Sequence, residues 1–311
     1  MTFYARIAAA GLILAALGAC SPETEKKTTA QAPAPVPAVA PEATIHAFRI
    51  GQLEAVALKD GNIVLPATAK ESPWGNAAQV SALLRAQGVT DDSIHLSIQP
   101  LLVKDGDRIV LIDTGAGGGM GTEGRLQTSL REAGVTPAQV TDILISHAHG
   151  DHVGGLVANG ALVFPNATIR LSIPEWTALQ ADAEMADLVR VITPRVRAFA
   201  PGAVVAPNIT AVSLDGHTPG HSAYEIAQGG GRLLYVGDAL HSSILSVQRP
   251  DWTNAWDGDS PSAIATRQGL LERSASQNLL IYAPHFPFPG LGHIQRRDDG
   301  FVWTPQAAPA P

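Results

Sequence analysis

The stretch ISHAHGDHVGGL (residues 145–156) puts three of the chain's ten histidines and one aspartate within six positions, directly after an apolar run. Neutral imidazole nitrogens and carboxylate oxygens are good ligands for zinc and similar divalent ions. Side chains two apart in an extended segment point the same way, so His147 and His149 are expected to bind one ion together. Asp151 and His152 follow a glycine and should point elsewhere. A zinc ion takes about four ligands, so further ligands must come from distant segments.

Three later stretches carry polar residues at the end of an apolar run. Their candidate residues are His217 and His221 in VSLDGHTPGHS, Asp238 and His241 in RLLYVGDALHS, and His285 and His293 in NLLIYAPHFPFPGLGH. Because α/β proteins build their sites just beyond strand ends, we expect these stretches to meet the first one. His46 and His95 lie inside strand patterns and are predicted to be ordinary surface or core residues.

The composition fits a folded domain and excludes one class of partner. The 311 residues are 45% hydrophobic and 16% charged, with a formal net charge of -7 and no lysine- or arginine-rich run. Nucleic-acid binding is therefore not expected. Strand and helix patterns alternate from about Ile45 without a second linker, which predicts a single α/β domain over residues 45–305.

Individual segments predict the elements of this domain. The stretches TIHAFRIG, LEAVALKD and NIVLPA are typical of short strands, and KDGN between the last two indicates a hairpin turn. IHLSIQPLLVKDGDRIVLIDTG is predicted as two strands, and SIPEWTALQ and SPSAIATRQGLLERSAS as helices. Thr136 and Pro137 are expected to begin a short helix as N-cap and first residue. The glycine run GAGGGMG is more typical of a mobile loop than of an anion cradle.

The first 44 residues predict export. Residues 1–20 contain an apolar segment after Arg6 and end at Cys20, the chain's one cysteine. The segment is typical of a signal peptide, and LGAC resembles a bacterial lipobox, which implies a lipidated Cys20. An ordinary signal peptide is the alternative. Residues 21–44 are predicted to be an Ala/Pro-rich tether and residues 306–311 a disordered tail. We expect a periplasmic lipoprotein of a bacterial envelope, anchored to the membrane only through Cys20.

The ordered motifs HAHGDH, GHTPGH, GD and PH, with LIDTG at residues 111–115, resemble the metallo-β-lactamase fold superfamily over most of residues 98–300. The resemblance implies a four-layer αββα sandwich with a dinuclear metal site at one edge. The residues that it implies as ligands are His147, His149 and His217 for one metal, Asp151, His152 and His285 for the other, and Asp238 as a bridge between both. Asp113 in LIDTG is expected to support the site without binding metal.

The end of the chain narrows the resemblance. The stretch PHFPFPGLGHI is similar to the methyl parathion hydrolase-like group, which includes lactonases and arylesterases. It departs from the glyoxalase II pattern and from the B1 and B2 lactamases. Residues outside the ligand set are assigned supporting or substrate-contacting roles, and these are His221, His241, His293, Phe286 and Phe288.

The resemblance implies a hydrolase that attacks its substrate with a hydroxide shared by two divalent ions. Zinc suits the His/Asp set best, although manganese, iron or cobalt could occupy it. Asp151 and Asp238 are the expected catalytic carboxylates, and no GxSxG nucleophile motif is present. We expect lactone or aryl ester substrates, with phosphotriesters as a further activity. The alternatives are a β-lactam hydrolase and a non-catalytic metal-binding envelope lipoprotein. A homodimer is compatible with the sequence.

Overall fold

The structure is a computed structural model that describes residues 43–68 and 72–306. In chain order its strands are β1 (Ile45–Ile50), β2 (Leu53–Leu58), β3 (Gly61–Pro66), β4 (Ser93–Ile98), β5 (Leu101–Asp105), β6 (Arg108–Ile112), β7 (Asp142–Leu144), β8 (Val157–Ala158), β9 (Ala161–Leu162), β10 (Thr168–Arg170), β11 (Val204–Ala206), β12 (Ile209–Ser213), β13 (Ser222–Gln228), β14 (Gly231–Tyr235), β15 (Leu280–Tyr282), β16 (Leu291–Arg297) and β17 (Gly300–Pro305).

The helices are α1 (Ala77–Ala86), α2 (Leu126–Glu132), α3 (Gly150–Val153), α4 (Ile173–Ala181), α5 (Ala186–Ile192), α6 (Leu245–Gln248) and α7 (Ser260–Ser276). Short 3₁₀ turns span Pro137–Gln139, Gly154–Leu156, Ala183–Met185, Thr193–Arg195 and Gly237–Ala239. The first of these turns begins as predicted, with Thr136 in a capping box and Pro137 in the first turn. No helix within the described residues combines the length and apolarity needed to cross a membrane.

Two large sheets organise these strands. One has the spatial order β1-β2-β5-β6-β7-β10, and the other runs β11-β12-β13-β14-β15-β16-β17. β6, β7 and β10 pair in parallel, as do β14 and β15, whereas the remaining neighbours in both sheets are antiparallel. β3 and β4 form a separate two-stranded antiparallel sheet, and α1 lies between them in the chain.

Alternation along the strands gives each sheet two apolar faces. On β5, Leu101 and Val103 belong to the core between the two sheets, whereas Leu102 faces the opposite side with α2, α4 and α5. On the second sheet, Leu233 lies in the central core and Leu234 packs against α7. Because strand side chains alternate with a period of two, three buried layers result. The architecture is the α/β sandwich of the metallo-β-lactamase fold, as predicted.

Two details differ from the sequence-based expectations. β2 pairs with β1 and β5, whereas β3 pairs with β4, so KDGN connects two different sheets and is not a hairpin turn. Asp60 in this turn is fully buried, and its carboxylate accepts hydrogen bonds from the Ala116 and Leu126 N–H groups. The stretch predicted as two strands contains three, because β4 ends at Ile98 and β5 begins at Leu101.

Candidate metal centre

Four loops deliver the candidate ligands to one edge of the two sheets. The first loop follows β7 and carries His147 and His149 before α3 begins. Asp151 and His152 lie on the first turn of α3, so the glycine that starts this helix separates the two pairs. The others come from the second sheet: His217 follows β12, Asp238 lies in the 3₁₀ turn after β14, and His285 follows β15.

The first group of ligand atoms comes from His147, His149, His217 and Asp238. Nε2 of His217 lies 3.2 Å from Nε2 of His147 and 3.0 Å from Nδ1 of His149. Oδ2 of Asp238 lies 3.5 Å from Nε2 of both His147 and His217. Ligand atoms around a tetrahedral zinc with bonds of about 2.0–2.1 Å are about 3.3 Å apart, so the spacing fits such an ion.

The second group comes from Asp151, His152 and His285. The two Nε2 atoms are 3.3 Å apart, and Oδ2 of Asp151 lies 3.7 Å from His152 and 3.5 Å from His285. The other carboxylate oxygen of Asp238, Oδ1, lies 3.1 Å from Nε2 of His152 and 3.0 Å from Nε2 of His285. Asp238 therefore presents one oxygen to each group.

Hydrogen bonds on the far side of the rings orient four of the five histidines. Nδ1 of each of these rings has a hydrogen-bond partner, so Nε2 faces the centre. The pairs are His147 with Ser146 Oγ at 3.1 Å, His152 with Asp113 Oδ2 at 2.7 Å, His217 with Asp257 Oδ1 at 3.1 Å, and His285 with the Ser97 carbonyl at 2.7 Å. His149 is the exception, since it presents Nδ1. Metal-binding histidines in proteins are held in this way by a partner for the second nitrogen.

One buried atom lacks the partner that a metal would supply. Oδ1 of Asp238 is buried, and among the described residues no donor forms a hydrogen bond with it, although Nε2 of His152 and His285 are within 3.1 Å. Burying a charged oxygen without a partner is unfavourable. The residues present therefore fit a divalent metal.

The electrostatics of the cluster favour bound cations. Burial lowers the pKa of His149 to about 4, with His217 as a further cause, so its ring is neutral and its lone pair is free at pH 7. Burial opposes ionisation of Asp238, but His152 and His285 outweigh it and hold the pKa of Asp238 well below its usual range. Burial also acts to lower the pKa of His152, yet Asp238, Asp151 and Asp113 raise it well above normal. This side of the centre thus attracts positive charge, as a proton or as a metal ion.

Sequence comparison assigns a family to this fold and site. Residues 96–285, more than half of the chain, match the pattern of the Metallo-beta-lactamase superfamily. The chain belongs to this superfamily. An N-acyl homoserine lactonase of Bacillus cereus is 32% identical over 126 residues, which are 40% of this chain and 48% of that protein. The chain thus spans about half the length of this curated relative.

Two solved structures of the superfamily resemble the chain over nearly their whole length. AidC, a dizinc quorum-quenching lactonase in complex with the product N-hexanoyl-L-homoserine, has a TM-score of 0.81 at 30% identity, covering 86% of this chain and 98% of its own. The hydrolase AbOPH has a TM-score of 0.78 at 28% identity, covering 86% and 99%.

Two further predicted site residues lie beside the ligand cluster. Nε2 of His221 accepts a hydrogen bond from the Asp238 N–H at 2.9 Å, so this ring positions a ligand's backbone instead of facing the centre. Burial lowers the pKa of His221 to about 3, which keeps Nε2 available as an acceptor. Nε2 of His241 is 3.2 Å from Oδ2 of Asp238, and its ring stacks on that of His285.

The cavity in front of the centre has a volume of about 420 Å³. His149, Asp151, Asp238, His241 and His285 form its polar side. The remaining side chains of the lining are apolar and come from other parts of the chain, namely Ile63, Leu65, Leu96, Met120 and Trp256. We call these five residues the apolar wall. A ligand here would meet both metal-binding groups and hydrocarbon.

Three other predicted site residues are not in the cavity lining. Phe286 is fully buried in the layer between the second sheet and α7, where its ring meets Trp303 edge-to-face at 4.9 Å. The reason is local: the Phe286 N–H closes a turn onto the Ala283 carbonyl, so the ring fills the core behind His285. Phe288 is half-buried against the core between the sheets. His293 lies on β16 and joins neither group of ligand atoms.

Sequence reasoning missed several residues that build the site. Asp257 links His217 to the buried Arg267, whose Nη2 is 2.8 Å from its second oxygen. Glu175 on α4 is buried and contacts two ligand loops. Each lies in a segment that reads as an ordinary loop or helix, and only their position in the fold relates them to the ligands. Asp113 was predicted to support the site, and it accepts hydrogen bonds from the N–H and Oγ of Ser146.

The glycine run between β6 and α2 also contributes to the cavity. Both ends of this loop are held by one carboxylate, since Asp60 accepts from the N–H of Ala116 at 2.9 Å and of Leu126 at 3.0 Å. Glu123 in the loop accepts from the Asn62 N–H on β3. Met120 adopts a positive φ of 56°, which is unusual for a long side chain. This residue is the part of the apolar wall that the loop contributes.

Proposed function

We propose that this protein is a dinuclear metal-dependent hydrolase of lactones that carry an apolar substituent, such as N-acyl homoserine lactones. The observation that carries this proposal is the cavity, which joins the two groups of ligand atoms to the apolar wall. A hydrolase for a lactone with a hydrocarbon chain needs a metal-binding end for the ring and an apolar surface for the chain.

Two metal ions are favoured by the arrangement of Asp238. Its two oxygens face different groups, at 3.5 Å from His147 Nε2 on one side and 3.0 Å from His285 Nε2 on the other. One ion would be held by His147, His149 and His217 and the other by Asp151, His152 and His285, with Asp238 shared. Zinc suits these nitrogen and oxygen ligands, and AidC, with 30% identity, is a dizinc enzyme.

Two divalent ions, when bound, supply Lewis acidity and lower the pKa of water to about 7. The chain's own residues then orient the substrate and move protons. The ionised carboxylate of Asp238 lies at the cavity surface, where it can accept a proton and return it to the leaving oxygen. Asp151 also lines the cavity and contributes a carboxylate to the second group.

His241 is suited to donate a hydrogen bond to a substrate oxygen. The Asn254 side-chain oxygen accepts from the Trp256 N–H, so its amide nitrogen faces Nδ1 of His241, at 3.4 Å. This arrangement makes Nδ1 the acceptor and leaves the proton on Nε2, which points toward the cavity. Nε2 is buried and lies 3.2 Å from Oδ2 of Asp238, an oxygen that the proposed metal would bind, so a carbonyl or leaving-group oxygen could then become the partner of Nε2.

The relatives favour the same substrate class. The Bacillus cereus relative is an N-acyl homoserine lactonase, and the structure of AidC contains a hexanoyl homoserine product. We extend the proposal to aryl esters, because their carbonyl carbon undergoes the same attack, and to phosphotriesters as a side activity. β-Lactam hydrolysis and a purely metal-binding role are the outcomes against which the proposal is tested.

The location of the protein is a separate proposal. Cys20 and the segments 1–20 and 21–42 lie outside the described residues, as do residues 307–311. The apolar segment ending in LGAC supports export and lipid attachment at Cys20. A Cys20→Ser variant expressed in a bacterial host should move from the membrane to the soluble fraction. Retention of this variant in the membrane would refute the anchor, leaving the hydrolase proposal untouched.

The deciding experiment measures metal content and turnover on one preparation of the domain from Ile45 to the end, loaded with zinc and dialysed. We expect two zinc equivalents and turnover of N-acyl homoserine lactones in preference to a cephalosporin, with aryl esters and phosphotriesters tested in parallel. Fewer than two equivalents would refute the dinuclear centre. Two equivalents with turnover of the cephalosporin alone would replace the lactone proposal with β-lactam hydrolysis.

A further inference from the structure

Glu175 is a buried carboxylate that joins two ligand loops without facing the metal centre. Only 2% of the residue is exposed. Its Oε1 accepts a hydrogen bond from the Ala148 N–H at 2.8 Å. Its Oε2 accepts two more, from Thr218 Oγ1 at 2.8 Å and from the Gly220 N–H at 2.9 Å. The carboxylate thus has three donors from two segments that are distant in sequence.

The donors to Glu175 lie next to proposed metal ligands in the chain. Ala148 lies between the ligands His147 and His149, and Thr218 directly follows the ligand His217. One side chain therefore sets the separation of the two loops that carry all three histidines of the first group. Hydrogen bonds to an ionised carboxylate are short and strong, so this connection is stiff.

The start of α4 fixes Glu175 in turn. Ser172 caps this helix by accepting from the Glu175 N–H at 3.2 Å. The same hydroxyl donates to the Gly220 carbonyl at 2.7 Å, which adds a second connection to the His217 loop. The space is also filled: a Cβ on Gly220 would lie 2.2 Å from Ser172 Oγ. The helix terminus and the loop are therefore in direct contact, and only glycine fits at position 220.

We propose that Glu175 is a positioning residue for one of the two metals, the one bound by His147, His149 and His217. The hydrogen-bond donors to Glu175 are Ala148, Thr218 and Gly220. In the second group, Asp113 supports His152 and the Ser97 carbonyl supports His285. Removing the carboxylate should therefore weaken one metal selectively. The inference rests on the dinuclear centre proposed above and is independent of the substrate.

The test replaces the carboxylate by an amide of the same size. In Glu175→Gln one half of the side chain becomes a donor, so either Ala148 or the Thr218 and Gly220 pair loses its acceptor. Zinc content is measured after dialysis against a graded series of chelator concentrations. We expect the variant to keep one ion like the wild type and to bind the other about 10–100-fold more weakly, as for other outer partners of metal ligands.

A second background identifies which ion is weakened. His285→Ala removes a ligand of the second group and should leave one ion, held by the first group. Adding Glu175→Gln to this background should weaken the binding of that ion by the same factor of about 10–100. Adding Thr114→Val instead should leave that binding unchanged, because Thr114 Oγ1 donates to the His152 carbonyl at 2.8 Å and not to a residue of the first group. If Glu175→Gln, His285→Ala retains its ion with unchanged affinity, the proposal is wrong.

Controls separate positioning from general stability. Asp142→Asn removes another buried carboxylate, which pairs with Arg108 and Arg170 at the opposite end of β7. This variant should melt at a lower temperature yet keep both ions with wild-type affinity.

Thr218→Val is a second test of the proposal, available if Glu175→Gln does not fold. It deletes only one of the three donors to Glu175 and should weaken binding of the first-group ion by a smaller factor. Wild-type protein with fewer than two ions would refute the dinuclear centre, whereas two tightly bound ions in both Glu175→Gln and Thr218→Val would refute the role of Glu175.

Discussion

The carboxylate of Asp113 lies 2.7 Å from Nδ1 of His152, on the side of the ring that faces away from the metal centre. The same carboxylate accepts from Tyr235 Oη at 2.7 Å and from the backbone and side chain of Ser146. Asp113 has a positive φ of 60°, which brings its side chain back under the ligand loop. A residue outside the ligand set thus determines the direction in which His152 points.

Asp113→Asn should weaken binding of the metal that we propose for Asp151, His152 and His285. The amide keeps the volume but loses the charge that orients the imidazole, and changes of this kind typically cost about 10–100-fold in metal affinity. Chelator competition measures the effect. Tyr235→Phe removes one hydrogen-bond donor to Asp113 but no contact to His152, so it should lower the zinc affinity less. Equal zinc affinity in Asp113→Asn and the wild type would contradict this role.

Much of the centre could be predicted because its ligands follow strand ends. The order of the four motifs and the apolar run before each one are visible in the sequence. In the second sheet the strands β12, β14 and β15 run in the same direction, so their C-terminal ends lie at a common edge. The alternation of Leu101, Leu102 and Val103 similarly indicates a strand with two covered faces. These features depend on residues close together in the chain.

The apolar wall and the supporting residues could not be predicted in the same way. Ile63 and Leu65 are ordinary alternating strand residues, and nothing local reveals that β3 pairs with β4 outside the large sheets and lines the cavity. The KDGN turn specifies a change of direction, but the strand that pairs with β3 is decided by packing. Phe286 was assigned to the pocket because it follows His285. The turn from Ala283 to Phe286 instead directs its ring into the core.

His221 should be dispensable for metal binding although it contacts a ligand. Its Nε2 accepts from the Asp238 N–H and its Nδ1 lies 3.2 Å from the Leu214 carbonyl, so neither nitrogen is free for an ion. His221→Ala should retain two zinc ions after dialysis but lose about 1–3 kcal/mol of unfolding free energy, because it leaves a buried N–H without a partner. Denaturant unfolding and metal analysis measure the two effects. A drop to one ion would identify His221 as a ligand.

Unlike His221→Ala, removal of a proposed metal ligand should cause loss of metal. His149→Ala and Asp238→Ala are expected to lose metal and hydrolytic activity together, with Asp238→Ala the more severe because its two oxygens face both groups. His46→Ala is the matched control, since this histidine lies on β1 away from the ligand cluster. Prolonged chelation of the wild type should abolish turnover, and added zinc should restore it. Full activity in either ligand variant with two ions bound would overturn the assignment.

The apolar wall should determine preference for the length of the substrate's hydrocarbon chain. Leu65 is half-buried and lines the cavity, so Leu65→Ala removes apolar contact surface at little cost to folding. Losing burial of one such side chain is worth about 1.5–3 kcal/mol, and about 1.4 kcal/mol corresponds to a tenfold change. The KM for a long-chain acyl homoserine lactone should therefore rise about tenfold or more. The KM for a short-chain homologue should stay close to that of the wild type, because its acyl group does not reach this part of the wall.

Val64→Ala is the control, because Val64 precedes Leu65 on β3, is 56% exposed, and is not part of the cavity lining. Equal KM changes for both chain lengths would mean that the wall shapes the metal centre instead of binding the chain.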